Sequence, residues 1–438
     1  MNREEKYISN LSTLIQKETI SSFSDTDLTK FREFHEILKN TFPHIFKACE
    51  FKDFEGSILL KWVGKNDKKN PILFMNHHDV VEATGNWKCD PFSAEIIEDK
   101  IYGRGTLDTK GGLFAMLEAA DELAEKGFVP ERTIYFESAC NEETTGYGAD
   151  TISKWMLDQG IKLDMTFDEG GMILYDPIGG AKGTFAMIGV GEKGCADLKF
   201  IARSNGGHAS TPTKNTPLVR LGKFMAEIDK KPLFQVEMND TIKEMFARFL
   251  PYMTSLKLGR DFVNLATPSL KKILPKMSST ANAFLQTTLA FTMAKGSNGT
   301  NVLPEEAYVI GNMRFSHHEG RDHSIKAVEE IAKKYDIEIE VLDPGFESRI
   351  CSYTSDAFKL CEEACLATFN NIDRVVPYIM TGASDSRYFD RVCENCIRFL
   401  PFNITEEQME SIHGLNENID ISCLVPAVDF YTYLMTHC

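Results

Sequence analysis

Short apolar runs alternate with a longer helical pattern in the first half of the chain, and this alternation constrains the fold more than any other feature. The runs "GSILLKWV", "PILFMNHHDVV", "RTIYFESA" and "DMTFDEG" have the length and composition of buried strands. Between the second and the third run lies "TKGGLFAMLEAADELAEKG", which predicts a helix ending at Gly127. Strands that alternate with helices predict an α/β fold in which helices flank a mostly parallel sheet.

The pattern changes near residue 183, where residues 183–204 predict a pair of strands. From there to residue 345 the order strand, helix, strand, strand, helix, strand is typical of a small ferredoxin-like α+β domain. A chain of 438 residues is too long for one core. We therefore expect a discontinuous first domain, residues 1–189 and 346–438, interrupted by a second domain at residues 190–345. Residues 235–290 give no pattern that we can interpret.

The net charge of the chain limits its partners. At −16 it opposes binding to nucleic acid or to an anionic membrane surface. The first residues lack the apolar core of a signal peptide, and no apolar run is long enough to span a bilayer. The 11 cysteines form no regular framework, as is typical of reduced thiols. We therefore expect a cytoplasmic protein with no nucleic-acid or membrane partner.

Histidines and carboxylates stand where the predicted strands end. Three such segments, at 77–79, 141–143 and 168–169, close a predicted strand, and a fourth, "GRGTLDTKGG", opens the helix. Because parallel strands bring their carboxyl ends to one edge of a sheet, we expect a cluster there. Carboxylates gathered in this way need positive charge to balance them, and carboxylate with imidazole favours zinc, or manganese or cobalt. The cluster would contain His77, Asp79, Asp108, Glu142, Glu143, Asp168 and Glu169.

Each segment alone has another interpretation. His77 or His78 could be a hydrogen-bonded histidine of the core, and adjacent acidic residues usually form a solvated surface. "GRGTLDTKGG" could be a phosphate loop, although it lacks the G-x-x-x-x-G-K-[ST] spacing. Four such segments at successive strand ends favour the metal site over these alternatives.

In chain order, "HHDVV", "GRGTLDTKGG", "NEE", "FDEGG", "GGHAST", "GASDSRYF" and "HGLNE" resemble the landmarks of the aminoacylase/carboxypeptidase family of di-metal peptidases and amidohydrolases. The resemblance covers nearly the whole chain. It implies a zinc-exopeptidase-like catalytic domain with an inserted lid domain, through which two subunits form a homodimer. It also implies two divalent metal ions per subunit, most readily Zn²⁺, with Mn²⁺ or Co²⁺ as alternatives.

The same resemblance implies a role for each residue around the metals. Asp79 orients the ring of His77, and His78 is a spectator. Between Asp168 and Glu169 we favour Glu169, because neighbouring residues on a strand point to opposite faces. Asp108 bridges the two ions. The implied metal ligands are His77, Asp108, Glu143, Glu169 and His413.

Three groups outside the ligand set complete the implied site. Glu142 is the general base that takes a proton from a water bridging the two metals. His208 of the lid stabilises the oxyanion in the partner subunit's site. Asn301 contacts the substrate. Arg387 is expected to grip a carboxylate through two parallel hydrogen bonds, which predicts a substrate with a free α-carboxylate beside the cleaved amide.

The sequence thus predicts a metallohydrolase, a carboxypeptidase/aminoacylase-type exopeptidase that acts on a small peptide or an N-acyl amino acid. Within the same family, a di- or tripeptidase and an N-succinyl-amino-acid desuccinylase remain alternatives, since they share the ligand set. The non-enzyme alternative is a catalytically inactive homologue that only binds peptides. It would require that a metal ligand or Glu142 be replaced. The physiological substrate and the native metal stay open.

Overall fold

A computed structural model describes residues 2–24, 27–230, 232–253 and 259–438 of the protein. A short 3-10 helix, Ile421–Cys423, precedes the last α-helix. The α-helices are α1 Arg3–Gln16, α2 Thr29–Thr41, α3 Pro43–Ala48, α4 Lys110–Glu125, α5 Tyr147–Asp158, α6 Pro217–Lys230, α7 Asp240–Met253, α8 Arg260–Met277, α9 Ser279–Leu285, α10 Gly320–Lys334, α11 Asp356–Thr368, α12 Ser386–Phe389, α13 Glu406–Ser411 and α14 Leu424–His437.

The strands form one large sheet and three smaller ones among the described residues. They are β1 Glu50–Phe54, β2 Ser57–Trp62, β3 Ile72–Met75, β4 Ile96–Ile97, β5 Lys100–Tyr102, β6 Ile134–Ser138, β7 Met165–Asp168, β8 Ile173–Tyr175, β9 Thr184–Glu192, β10 Gly194–Arg203, β11 Gly207–His208, β12 Thr288–Lys295, β13 Val302–Leu303, β14 Glu306–Phe315, β15 Glu338–Phe346, β16 Arg374–Met380, β17 Cys396–Arg398, β18 Asn403–Ile404 and β19 Asn418–Asp420.

The large sheet has ten strands in the order β1-β2-β6-β3-β7-β17-β9-β8-β18, with β16 paired to β9 off this path. Its centre is parallel: β3 pairs in parallel with β6 and β7, and β17 pairs in parallel with β7. At one edge β1 and β2 pair antiparallel. The predicted α/β class with a mostly parallel sheet is therefore confirmed.

Helices cover both faces of this sheet. Successive residues of a strand point to opposite sides, and β3 shows the consequence. Ile72 and Phe74 belong to the core shared with α4, α11 and α14, whereas Leu73 and Met75 pack with α5 on the other face. All four side chains are buried. The polar segment "NHHD" follows β3 directly, and all four of its side chains are buried as well.

The second large element is a four-stranded antiparallel sheet in the order β12-β14-β10-β15. Helices α6 and α10 cover one of its faces through a separate apolar core. Strand order and helix placement are those of a ferredoxin-like α+β unit, so the predicted lid fold is confirmed. The predicted pairing within residues 183–204 is wrong. Only Lys193 separates β9 from β10, and each strand pairs in a different sheet, because the chain runs on instead of reversing.

Residues 235–290 contain α7, α8 and α9 as far as the structure describes them. Ile242, Met245 and Phe249 of α7 pack with Met187 of β9 and Ile379 of β16, so these helices lie on the large sheet. Prolines inside α7 and α8 explain why these residues show no clear helical pattern, since proline disfavours helix interiors. The domain boundaries themselves stay a prediction.

The carboxyl ends of β3, β6 and β7 lie side by side at one edge of the large sheet, because these strands are parallel neighbours. The segments 76–79, 139–143 and 168–169 leave the sheet at this edge, where ligands bind in folds of this kind. None of the described helices combines the length and the apolar character that a membrane crossing requires. The cytoplasmic location stays a prediction.

Candidate functional site

Asp108 lies at the centre of the cluster, between two histidines. Its Oδ1 is 2.9 Å from His77 Nε2, and its Oδ2 is 3.0 Å from His413 Nε2. His413 Nε2 is also 3.0 Å from Glu143 Oε2. Burial by itself would raise the pKa of Asp108, but hydrogen bonds from His413 and His77 hold it below its usual range. One carboxylate thus presents each of its oxygens to a different imidazole.

His77 is held from behind by Asp79. The Nδ1 of His77 is 2.9 Å from the Asp79 carbonyl oxygen and 3.3 Å from Asp79 Oδ1, which leaves Nε2 to face Asp108. The Asp79 carboxylate accepts hydrogen bonds from the backbone N–H groups of Glu142 and Glu143 at 3.1 and 3.2 Å. Ser21 Oγ donates a further bond to Asp79 at 2.6 Å. A buried carboxylate therefore couples the His77 segment to the loop after β6.

His78 points away from this cluster into the core. Its ring stacks on Phe34, and its Nδ1 lies 2.8 Å from Ser138 Oγ. Burial holds the pKa of His78 well below its usual value, so the ring is neutral. The side chain lines the contact between α2 and the sheet.

Glu142 and Glu143 are neighbours that face different groups. Glu143 contacts His413, whereas Glu142 Oε1 is 3.8 Å from Arg387 Nη1. Burial raises the pKa of Glu142 to about 8, and the negative charge of Glu143 adds to this shift. Glu142 therefore has the environment of a carboxylate that can take up and release a proton near neutral pH.

Asp168 and Glu169 differ in what their oxygens already bind. Asp168 accepts hydrogen bonds at both oxygens, from Glu169 N at 2.8 Å and from Ser386 N at 2.7 Å. Glu169 lies in a cavity beside Asp108. Burial, together with the charges of Asp108 and Asp168, raises the pKa of Glu169 well above its usual value. Both oxygens of Asp168 thus accept from backbone N–H groups, whereas within the described part of the chain the Glu169 carboxylate has no such hydrogen bond.

Arg387 borders a polar pocket of about 350 Å³ that Glu142 and Glu143 also line. Its guanidinium donates to the Ser384 carbonyl at 2.9 Å and stacks 4.6 Å from the ring centre of Phe346 in β15. The pocket thus lies between the large sheet and the four-stranded sheet.

Sequence reasoning missed Arg314, a second cation in this pocket. Arg314 of β14 donates Nε to Asn312 at 3.0 Å, while its Nη1 is buried and has no hydrogen-bond partner among the described residues. The pocket therefore holds two guanidinium groups, those of Arg387 and Arg314, that can receive an anion. The residue lies in the strand-like "GNMRFS", and only the pairing of β14 with β10 turns it toward the pocket.

Glu417 is another residue without a predicted role. It is fully buried, and it accepts hydrogen bonds from Arg104 Nη1 at 2.7 Å and from the N–H groups of Leu107 and Asp108 at 2.8 and 3.2 Å. Glu417 therefore fixes the loop that carries Asp108. The quoted motif "HGLNE" contained it, since it lies four residues after His413.

A buried ion pair supports the loop of Arg387. Arg398 Nε lies 3.1 Å from Glu192 Oε2, and both side chains are fully buried. The same Glu192 oxygen accepts hydrogen bonds from Ser384 N and Ser384 Oγ at 2.9 and 3.1 Å. The segment that carries Arg387 is thereby tied to the end of β9.

His208 and Asn301 lie apart from this cluster. They are close together at the small β11–β13 ribbon: His208 ends β11, Asn301 directly precedes β13, and Ala209 N donates to the Asn301 carbonyl at 2.9 Å. Both side chains are exposed. Among the described residues, the His208 side chain hydrogen-bonds only with Ser210: its Nδ1 lies 2.7 Å from Ser210 Oγ and accepts from Ser210 N at 3.1 Å. Within one chain the structure does not bring these two residues to the cluster.

The donor set fits divalent cations. Ligand atoms of His77, Asp108 and Glu143 lie within 4.8 Å of one another. The carboxylates Asp108 and Glu143 raise the pKa of His413 to about 10, which shows how strongly the cluster favours positive charge. Imidazole and carboxylate oxygen are donors that zinc and similar ions accept. These residues therefore suit a metal centre, and the fold and donor set together define an α/β metallohydrolase.

Comparison with known proteins identifies the family. The model of Peptidase family M20/M25/M40 matches residues 73–437, and the chain belongs to this family of metallopeptidases. The probable carboxypeptidase S-like 2 of Dictyostelium discoideum is 31% identical over 415 residues, which cover 93% of this chain and 79% of that protein. The family assignment makes the protein a hydrolase and confirms the resemblance predicted from the sequence motifs.

Two further relatives show the range of the family. The human N-fatty-acyl-amino acid synthase/hydrolase PM20D1 is 28% identical over 431 residues, covering 96% of this chain and 85% of that protein. The M20 family metallo-carboxypeptidase Sso-CP2 of Sulfolobus solfataricus has a solved structure with a TM-score of 0.73 at 18% identity, covering 99% of both chains. The latter likeness concerns the fold.

Proposed function

We propose that the protein hydrolyses an amide or peptide bond next to a free α-carboxylate, with Glu142 as the general base. The observation that carries this proposal is the position of Glu142. Glu142 is the chain neighbour of Glu143, which contacts His413 of the Asp108 cluster, and its Oε1 is 3.8 Å from Arg387 Nη1. A proton acceptor therefore lies between the proposed cation site and the proposed carboxylate site.

Two divalent cations fit the proposal. His77, Asp108 and Glu169 would hold one, and Asp108, Glu143 and His413 the other, with Zn²⁺ as the metal that best matches these donors and Mn²⁺ or Co²⁺ as alternatives. When bound, the ions supply the Lewis acid that polarises the amide carbonyl and lowers the pKa of water. The two outward-facing oxygens of Asp108 support its role as the shared ligand.

The side chains divide the remaining work. Arg387 binds the α-carboxylate and fixes the scissile amide against the cluster. Glu142 takes a proton from the attacking water and passes it to the leaving nitrogen. Asp79 holds the tautomer of His77 in which Nε2 faces the cluster. Exclusion of water by the buried loops strengthens each of these charge interactions.

The names of the relatives set the substrate panel. One is named a probable carboxypeptidase and another an N-fatty-acyl-amino acid synthase/hydrolase, so peptides and N-acyl amino acids are the candidates, together with di- and tripeptides and N-succinyl amino acids. The test is a chelation and metal-return assay over this panel. Activity lost with chelator and restored by Zn²⁺, Mn²⁺ or Co²⁺ is expected. Hydrolysis that survives complete removal of metal would refute the proposal, and failure on every substrate would favour a peptide-binding homologue.

We propose further that the protein acts as a homodimer through a lid domain at residues 190–345, with residues 1–189 and 346–438 as the catalytic domain. His208 and Asn301 support this, because they sit exposed and adjacent on one ribbon, away from their own cluster. In the partner's site, His208 would stabilise the oxyanion and Asn301 would contact the substrate. Mixed dimers of His208→Ala and Glu142→Gln subunits should regain activity from one intact composite site. A hybrid without recovery would contradict sharing.

A further inference from the structure

A second cavity opens from the cluster on the side of Asp108 and Glu169. It measures about 460 Å³, a size in the range of ligand pockets. The polar pocket with Arg387 opens on the other side of the same cluster, past Glu142 and Glu143. The carboxylates therefore separate two pockets of different chemistry.

Apolar side chains line this cavity, which we call the apolar pocket. Met187 of β9, Tyr378 of β16, Phe249 of α7 and Phe284 of α9 form its walls. Asp108, Glu169 and Ile412, the residue before His413, also line it, so the pocket borders the candidate metal ligands. Burial of an apolar group against such a surface is favourable, whereas a peptide backbone would find few hydrogen-bond partners there.

The walls are already fixed in place. Phe284 makes an edge-on contact with Tyr378 at 6.3 Å between ring centres, and Phe249 packs on Phe185 at 4.9 Å. Lys193, between β9 and β10, donates from Nζ to the carbonyls of Ala283 and Gln286, at 3.1 and 2.8 Å. The end of α9 is thereby held to the junction of the two sheets, so the pocket exists before a substrate enters.

Gly170 shows how closely the pocket approaches the cluster. Its φ of +135° lies in a region that other residues rarely adopt, and a Cβ there would meet Met380 Sδ at 2.3 Å. The absence of a side chain at Gly170, the residue after Glu169, therefore leaves room for Met380 in the pocket wall. Because Glu169, Gly170 and Met380 all line this cavity, a group bound at Glu169 would lie next to its apolar wall.

We propose that the apolar pocket binds the acyl group of N-acyl amino acid substrates and selects acyl chains longer than acetyl. This inference rests on the proposed function and names its substrate class. The amino acid carboxylate lies toward Arg387 and Arg314, the amide lies at the cluster, and the acyl chain fills the apolar pocket. A peptide in the same place would bury amide groups with few polar partners, which costs free energy, whereas an alkyl chain has no such groups.

The test measures kcat/KM for acetyl-, hexanoyl- and decanoyl-leucine and for a dipeptide, leucyl-leucine. Each methylene buried should raise kcat/KM by about fourfold until the pocket is filled. The variant Thr280→Trp places a large side chain at an exposed lining residue of the pocket, and the exposed neighbour Ser279, which is not among the lining residues, gives the matched control Ser279→Trp. The hexanoyl-to-acetyl ratio should fall by about tenfold in Thr280→Trp and stay unchanged in the control.

Binding of decanoyl-leucine to Glu142→Gln, followed by calorimetry, separates the two proposals. If decanoyl-leucine binds tightly and Thr280→Trp weakens this binding, the pocket assignment is supported. This holds even if the wild-type protein hydrolyses no amide, a result that would refute the proposed function instead. Equal kcat/KM for all acyl lengths, a preference for leucyl-leucine over decanoyl-leucine, or decanoyl binding that Thr280→Trp leaves unchanged would each overturn the pocket assignment.

Discussion

The two pockets beside the cluster are built in opposite ways. In the polar pocket, Arg387 comes from the short helix α12 and Arg314 from strand β14 of the four-stranded sheet, and each has a directed hydrogen bond that fixes it. In the apolar pocket, Phe249 and Phe284 come from helices that pack on the large sheet without any directed bond from the side chain.

The two proposals give the pockets different tasks. Hydrogen bonds and charges depend on angle, so in the proposed function the polar pocket would determine which bond is presented to Glu142. Apolar contacts depend on area, so in the proposed acyl site the apolar pocket would determine how large a group is accepted. The proposals therefore assign chemistry and size selection to separate residues, which can be changed one at a time.

The largest expected effect is at the base. Glu142→Gln should lower kcat by about 10²–10⁴-fold, because proton transfer is lost while the ligand residues remain. Elemental analysis should find the metal content unchanged, and the exposed control Glu407→Gln should keep full activity. If Glu142→Gln turned over substrate at the wild-type rate, Glu142 would not be the general base, and the polar pocket would not present a bond to it.

Truncation of the apolar wall should affect stability first. Phe249 is 1% exposed, and Phe249→Ala should lower the free energy of unfolding by about 3–5 kcal/mol, because a cavity replaces its ring. Urea unfolding measures this loss. Phe262→Ala on α8, where the side chain is 40% exposed, should cost only about 0.5 kcal/mol. Similar losses in both variants would show that the pocket wall is not part of the core.

Truncation in the polar pocket should instead affect substrate binding. Arg387→Met should lower kcat/KM by about 10- to 150-fold, which corresponds to the free energy of a hydrogen bond to a charged group. The loss should be small for a substrate whose α-carboxylate is amidated. Arg391, which binds Asp150 at 2.9 Å, gives the control Arg391→Met. An equal loss on carboxylate and amide substrates would mean that Arg387 does not read the carboxylate.

Arg314 should have the smallest effect of the four. Because Nη1 is its only buried nitrogen without a partner among the described residues, Arg314→Met should lower kcat/KM by about tenfold, through one lost hydrogen bond. The double variant with Arg387→Met should show non-additive losses if both groups bind one carboxylate. Strict additivity on the free-acid substrate would place Arg314 outside the polar pocket's binding function.

Much of the fold was predictable because its pattern is local. The runs that became β2, β3, β6 and β7 are apolar strands bounded by polar residues, and Gly127 ends the region of α4 with a φ of +73°. The failure at residues 183–204 has a physical reason. Two consecutive strands look alike whether they pair with each other or enter separate sheets, and only long-range partners decide.

The candidate site divides in the same way. Polar residues at the ends of apolar segments, such as His77 after β3 and Asp108 before α4, differ from their neighbours and could be identified from the sequence. Arg314 and Glu192 could not, since one lies in an ordinary amphipathic strand and the other in a buried one. The apolar pocket left no signal, because Phe249 and Phe284 are the same residue types that fill any core.

By itself the sequence determined the set of chemical groups and their order, since His, Asp and Glu at the ends of strands are a local and unusual pattern. Only the tertiary structure decided which of those groups meet. Asp168 accepts a hydrogen bond from Ser386 N, whereas Glu169 lines the cavity beside Asp108. His208 and Asn301 lie at a ribbon away from their own cluster, and α7 and α9 contribute the walls of an apolar pocket. The reason is that these outcomes depend on contacts between residues far apart in the chain, which no local pattern encodes.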